Sequence, residues 1–118
     1  MNARSALGKQ GEQLAADYLE AAGLRILDRN WRCSEGEIDI VAADGRALVI
    51  CEVKTRSAAT HGTPLEAVSR VKQRRLRRLA VRWVVVHSVM FDEVRIDVVG
   101  VLRVAPGEFA IEHARGVG

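Results

Sequence analysis

Three charged side chains interrupt two apolar, β-branched runs in the middle of the chain. Asp39 lies in the first run, and Glu52 and Lys54 flank Val53 in the second. Burying carboxylates and an ammonium costs free energy unless these groups find partners. Two carboxylates and a backbone carbonyl can supply hard oxygen ligands to Mg²⁺, or to Mn²⁺ in its place. A metal held there would polarise a phosphate and lower the pKa of a bound water, which is the chemistry of phosphodiester hydrolysis.

Each of these residues has its own role in this hypothesis. Asp39 and Glu52 bind the metal together with the Val53 carbonyl, while Lys54 orients the attacking water or stabilises charge on the phosphate. Glu12, at the edge of the apolar face of the first predicted helix, is a fourth catalytic candidate. The alternative is an ordinary exposed hairpin, because acids and lysines commonly occupy the solvent face of antiparallel strands.

The predicted elements must bring these residues together. Their order is helix, three strands, helix and strand, over residues 6–22, 24–32, 37–43, 47–55, 69–86 and 94–101. Residues 57–63 form a predicted loop, Pro64 opens a helical stretch, and residues 109–112 add a short edge strand. Gly8 and Gly11 in the first helix indicate a close approach of helix to sheet. This order predicts an α/β fold, a mixed sheet flanked by helices, in a single domain over residues 1–118.

The geometry of the site depends on the hairpin between the second and third strands. A two-residue turn at Asp44-Gly45 would place Asp39 opposite Ile50 and on the same side of the sheet as Glu52. A three-residue turn would move the two carboxylates to opposite faces. The Asp-Gly pair favours the two-residue turn.

Basic residues dominate the second predicted helix. Residues 70–82 contain seven of them and no acid. Such a stripe suits a phosphate backbone, although a solvated helix face is the alternative explanation. Lys72 differs from the others because it lies in the apolar stripe, where it either extends to solvent or points toward the acids or a phosphate. The predicted nucleic-acid contacts are Arg56, Arg70, Lys72, Arg74, Arg77 and Arg78.

Composition limits the class of protein. The chain has 118 residues, 48% of them apolar, a net charge of +3 and a pI near 9.3, which suits one globular domain with an anionic partner. Cys33 and Cys51 form no CxxC pair, and they indicate a reducing cytoplasm rather than a zinc site. No segment reaches the length of a membrane helix, so no membrane partner is expected.

Several of these motifs resemble, in combination, the YraN family of small endonuclease-like proteins. The matching segments are Gly8-x-x-Gly11-Glu12, Leu27-x-Arg29-Asn30-Trp31-Arg32, Gly36-Glu37-Ile38-Asp39-Ile40-Val41, Glu52-Val53-Lys54-Thr55-Arg56 and Arg95-Ile96-Asp97-Val98-Val99. That family is similar to archaeal Holliday-junction resolvases and has a restriction-endonuclease-like fold. The resemblance implies a site of Glu12, Asp39, Glu52 and Lys54, with Asp39 and Glu52 on the metal. It also implies a nucleic-acid substrate and symmetric homodimers.

Two functions follow from these observations. The first is a magnesium-dependent nuclease that acts on DNA, with branched and flapped DNA among its candidate substrates. The alternative is a nucleic-acid-binding module or subunit that retains the nuclease scaffold without cleaving its ligand.

Overall fold

Two helices and five strands make up the part of the chain that the computed structural model describes, residues 3–57 and 68–117. They are α1 (Ala3–Ala21), β1 (Arg25–Cys33), β2 (Gly36–Asp44), β3 (Ala47–Ser57), α2 (Arg70–His87), β4 (Glu93–Ala105) and β5 (Glu108–Ala114). Apart from Ser57, which ends β3, the predicted loop over residues 57–63 lies outside the described residues, and so does Pro64. Neither described helix is long and apolar enough to span a membrane.

The five strands form one mixed sheet in the order β1-β2-β3-β4-β5. All neighbours are antiparallel except β3 and β4, which are parallel because the chain passes through α2 between them. The predicted α/β class and element order are therefore confirmed, and the architecture is consistent with a restriction-endonuclease-like fold. The predicted edge strand is β5, which is longer than residues 109–112.

Each face of the sheet packs against one helix. Strand β3 contributes to both cores: Leu48 and Ile50 pack in the core under α2, and Val49 and Cys51 in the core under α1. A central strand that is covered on both faces explains why this part of the sequence is a continuous apolar run rather than an alternating one.

Helix α1 approaches β3 most closely at Gly11. A β-carbon built on this glycine would lie 2.0 Å from Oγ1 of Thr55, so no larger residue fits without movement. The predicted close approach is thus confirmed at Gly11. It is wrong at Gly8, where a β-carbon would have no neighbour within 4 Å among the residues that the structure describes.

The hairpin register differs from the predicted one by two residues. Asp44 pairs with Ala47, so the turn is Gly45-Arg46, and Val41 rather than Asp39 lies opposite Ile50. Gly45 has a φ of 58°, which suits the first position of a type II′ turn, and Asp44 stays in the strand. Because the error is an even number of residues, the register shift itself moves no side chain to the other face of the sheet.

A buried ionic network fixes the C-terminal segment to the sheet. Asp97 is fully buried and accepts hydrogen bonds from Arg95, from His113 and from the backbone amide of Gly116. Although burial raises it, these hydrogen bonds hold the pKa of the Asp97 carboxyl below its usual value. Every polar atom of this carboxylate is therefore matched, which identifies the network as part of the scaffold.

Candidate active site

The side chains of β1 change face beside the site, which interrupts the regular alternation of the strand. Arg29 contacts Glu12 on α1, whereas Trp31 packs against the core under α2. Two residues apart in a regular strand would share one face. Asn30 between them has a φ of 53°, in the left-handed region that asparagine tolerates better than most residues. This single residue accounts for the change of face.

The alternation of side chains in β2 is interrupted at the same place. Ile38 belongs to the core under α2 and Ile40 to the core under α1, although they too are two residues apart. They pair with Trp31 and Arg29 respectively. Asp39 lies between them, at the reversal, and its side chain borders cavities on both faces of the sheet.

The cavity on the α2 side contains the two predicted metal-binding carboxylates. Its volume is about 250 Å³, and its lining residues are Glu37, Asp39, Cys51, Glu52, Lys72, Arg75 and Leu76. Lys72 donates from Nζ to Oε1 of Glu52 at 2.5 Å. The second oxygen of Glu52, Oε2, is buried and has no hydrogen-bond partner among the described residues. A buried carboxylate oxygen in this condition is expected to bind a water or an ion.

The cavity on the α1 side contains Glu12. Its volume is about 390 Å³, and its lining residues are Gly8, Lys9, Glu12, Asp39, Val53 and Thr55. Oε1 of Glu12 accepts hydrogen bonds from Asn30 Nδ2 at 2.6 Å and from Arg29 Nη2 at 3.3 Å. Glu12 and Glu52 therefore approach Asp39 from opposite faces of the sheet.

Asp39 has the most perturbed carboxylate of the site. Burial, together with the negative charges of Glu52, Glu12 and Glu37, raises its pKa to about 6, against a smaller lowering by the hydrogen bond from the Val53 amide. A carboxylate that is desolvated among three other acids gains stability from a proton or a cation. This electrostatic environment is typical of functional sites.

The donor set fits a magnesium ion better than a softer metal. No three His, Cys, Asp or Glu side chains in the described ranges lie close enough together to hold an ion by themselves. Mg²⁺ is usually bound by one or two carboxylates and keeps several waters. Asp39, Glu52 and the backbone of Val53 match that requirement, and Oε2 of Glu52, which has no partner within residues 3–57 and 68–117, can serve as a metal ligand.

The remaining predicted residues of β3 follow the site along the strand. Lys54 and Arg56 lie opposite Gly100 and Leu102 of β4, and both are half-buried. The β3–β4 pairing is regular over this stretch, so both side chains have the same face as Glu52. Lys54 thus lies about 6–7 Å further along the strand than Glu52.

Helix α2 divides its basic residues between the site and the solvent. Lys72 reaches Glu52, whereas Arg70, Arg74 and Arg77 are exposed on the outer surface. Arg78 is also exposed and is paired with Glu35 at 3.7 Å. The prediction that Lys72 points toward the acids is confirmed, and its predicted contact with nucleic acid stays a prediction.

Comparison with known proteins assigns the chain to a protein family. The sequence profile of the uncharacterised protein family UPF0102 matches residues 11–101. The chain belongs to the UPF0102 family. A UPF0102 protein of Beutenbergia cavernae is 55% identical over 118 residues, and one of Arthrobacter sp. 56% identical over 118, each covering 100% of both chains. One from Streptomyces coelicolor is 55% identical over 119 residues, covering 99% of this chain and 92% of its own.

Membership of UPF0102, the YraN family, confirms the resemblance read from the motifs and assigns no activity, because the family is uncharacterised. The matched range includes Glu12, Asp39, Glu52 and Lys54.

Arg29, Asn30 and Arg75 of this UPF0102 chain are among the residues that border the site without having been predicted there. Arg29 and Asn30 hold Glu12, and Arg75 lines the cavity of Glu52. Arg75 follows Lys72 by three residues, a spacing that puts both on one helix face and would have indicated its position. The positions of Arg29 and Asn30 beside Glu12 could not be read from their spacing, because the left-handed φ of Asn30 breaks the alternation of the strand.

Proposed function

We propose that this protein is a magnesium-dependent nuclease that hydrolyses phosphodiester bonds in DNA. The observation that supports it is one cavity bordered by Asp39 and Glu52, in which Glu52 Oε2 is buried without a partner in the part of the chain that the structure describes. Desolvation and neighbouring acids make the Asp39 carboxylate a second group that favours a cation. A cation bound between these two carboxylates would offset part of the cost of burying them.

The residues of the site divide the work of catalysis. Held by Asp39, Glu52 and the Val53 carbonyl, Mg²⁺ would supply Lewis-acid activation of the phosphate and a more acidic water. Lys54, further along the face of Glu52, orients that water or stabilises negative charge on the phosphate. Glu12, fixed by Asn30 and Arg29, sets the negative potential on the α1 side of Asp39.

Helix α2 is the proposed binding surface for the DNA backbone. Its exposed arginines include Arg70, Arg74 and Arg77. On the inner side of the same helix, Lys72 donates a hydrogen bond to Glu52. A strand bound to this helix would approach the acids where Lys72 and Arg75 line the cavity of Glu52. Arg56 follows on the adjacent strand as a further phosphate contact.

Two expectations accompany this proposal. Cutting both strands of a branched molecule needs two centres, so we propose a homodimer, as the resemblance to resolvases implies; sedimentation at several concentrations tests it. The free thiols of Cys33 and Cys51 suit a reducing cytoplasm.

The test is a cleavage panel with matched variants. Wild type, Asp39→Asn, Glu52→Gln and the exposed control Asp92→Asn are purified identically and incubated with branched, flapped, duplex and single-stranded DNA. Mg²⁺, Mn²⁺ and EDTA are compared, and an RNA of the same sequence decides the substrate class. We expect metal-dependent cleavage by wild type and Asp92→Asn, and a loss of at least about 100-fold in the two site variants.

Each other outcome is informative. Equal cleavage by wild type and Asp39→Asn would assign the activity to a contaminant. Tight DNA binding by wild type without cleavage under any metal would favour the alternative, a binding module or subunit on a nuclease scaffold.

A further inference from the structure

Lys72 is the basic residue that α2 inserts into the acidic site. Ser69 caps the helix and accepts a hydrogen bond at 3.1 Å from the backbone amide of Lys72, which fixes the first turn. From there Nζ of Lys72 reaches Oε1 of Glu52. The Glu52 side chain is only 14% exposed, whereas that of Lys72 is 43% exposed. The ammonium therefore has access to both the buried carboxylate and the solvent.

The ion pair places two demands on one carboxylate. Oε1 of Glu52 is occupied by Lys72, while Oε2 is buried without a partner among the described residues. A divalent cation bound through Glu52 would lie beside a positive ammonium, and like charges at such a distance repel. Lys72 can relieve that repulsion, because its long side chain is flexible and is 43% exposed to solvent.

We propose that Lys72 couples metal binding to phosphate binding. It neutralises Glu52 until a divalent cation takes that carboxylate, and the displaced ammonium then turns to an anionic phosphate of the DNA. Arg75, on the same face of α2 and in the same cavity, provides a second cation for that phosphate. This inference rests on the proposed function, since it assumes that Asp39 and Glu52 hold the metal.

The first experiment measures Mn²⁺ binding by calorimetry or electron paramagnetic resonance, without nucleic acid. Lys72→Met removes the competing ammonium at nearly constant length, so we expect Mn²⁺ to bind roughly three- to tenfold more tightly than to wild type. Lys72→Arg restores the ion pair and should return the affinity toward that of wild type. Arg75→Met is the control, because it removes a positive charge from the same cavity without touching the pair.

The second experiment measures binding of a short DNA duplex in EDTA and in Ca²⁺. We expect Ca²⁺ to raise the DNA affinity of wild type by roughly tenfold and that of Lys72→Met by much less, because reciprocal coupling requires the displaced ammonium. Circular dichroism and thermal unfolding establish that all variants are folded.

Different results would contradict the coupling role of Lys72 and the proposed nuclease function. Equal or weaker Mn²⁺ binding by Lys72→Met, or equal tightening by Arg75→Met, would overturn the coupling role while leaving the metal site intact. Absence of Mn²⁺ binding by wild type, or undiminished binding by Asp39→Asn, would remove the proposed function as well.

Discussion

Oδ2 of Asp39 accepts a hydrogen bond of 2.9 Å from the backbone amide of Val53, just beyond the last paired residues of β2 and β3. The side chain thus replaces the backbone carbonyl that a regular strand would offer at this position. Asp39 is held at the opening between the strands, where it lines the cavities on both faces of the sheet.

Replacing Asp39 by asparagine should stabilise the protein without metal. The folded-state pKa of about 6 exceeds the ordinary 3.8, so the ionised carboxylate destabilises the fold above pH 6, and wild type gains stability as the pH falls toward 4. Asparagine lacks this cost and keeps an acceptor for Val53. In EDTA at pH 8 we expect Asp39→Asn to raise the free energy of unfolding by about 1–3 kcal/mol.

Chemical denaturation from pH 4 to pH 8 measures this difference, which should shrink at the acidic end. Asp92→Asn, with a side chain that is 67% exposed, is the control and should change stability by less than about 0.5 kcal/mol. A less stable Asp39→Asn at pH 8 would contradict the predicted electrostatic cost.

Asn30 should show a difference between two small substitutions. Asn30→Gly and Asn30→Ala both free Glu12 from its 2.6 Å hydrogen bond, but only alanine is strained at a φ of 53°. We expect the alanine variant to be less stable than the glycine variant by about 1–2 kcal/mol, measured by urea denaturation. Equal stabilities would show that the strand reversal does not depend on this residue's backbone.

Gly11 and Gly8 should respond in opposite directions to alanine. The clash of a new β-carbon at Gly11 with Thr55 forces α1 away from β3, at a cost of about 1–3 kcal/mol. At Gly8 the space is open, and alanine should stabilise the helix by about 0.5–1 kcal/mol. Thermal unfolding of the pair provides the measurement, and a Gly11→Ala protein as stable as Gly8→Ala would refute the close contact.

The exposed arginines of α2 should determine the salt dependence of DNA binding. If Arg74 and Arg77 each neutralise one phosphate, the double variant Arg74→Gln/Arg77→Gln should lower the slope of log K against log salt by about 2. Fluorescence anisotropy with a duplex at several salt concentrations measures this slope. Arg46→Gln, on the exposed β2–β3 turn, serves as the control for loss of a positive charge outside α2. An unchanged slope in the double variant would remove α2 from the interface.

Much of the site could be predicted from alternation alone. Glu52 and Lys54 share a face of β3 because that strand is regular. Asp39 and Glu52 line one cavity although the predicted register was wrong by two residues, because an even shift moves no side chain to the other face. The reversal at Asn30 could not be predicted, because a left-handed φ depends on tertiary contacts. The pairing of Lys72 with Glu52 depends on how α2 docks, which the helix pattern leaves open.

Lys72 follows all the acids of the site in the sequence, and this order has a consequence for biosynthesis. Glu12, Glu37, Asp39 and Glu52 all leave the ribosome before it. Glu12 and Glu37 have basic partners that are made earlier, Arg29 and Arg32, whereas the ammonium that pairs with Glu52 is made only with α2. Pairing of Glu52 therefore waits for the docking of α2.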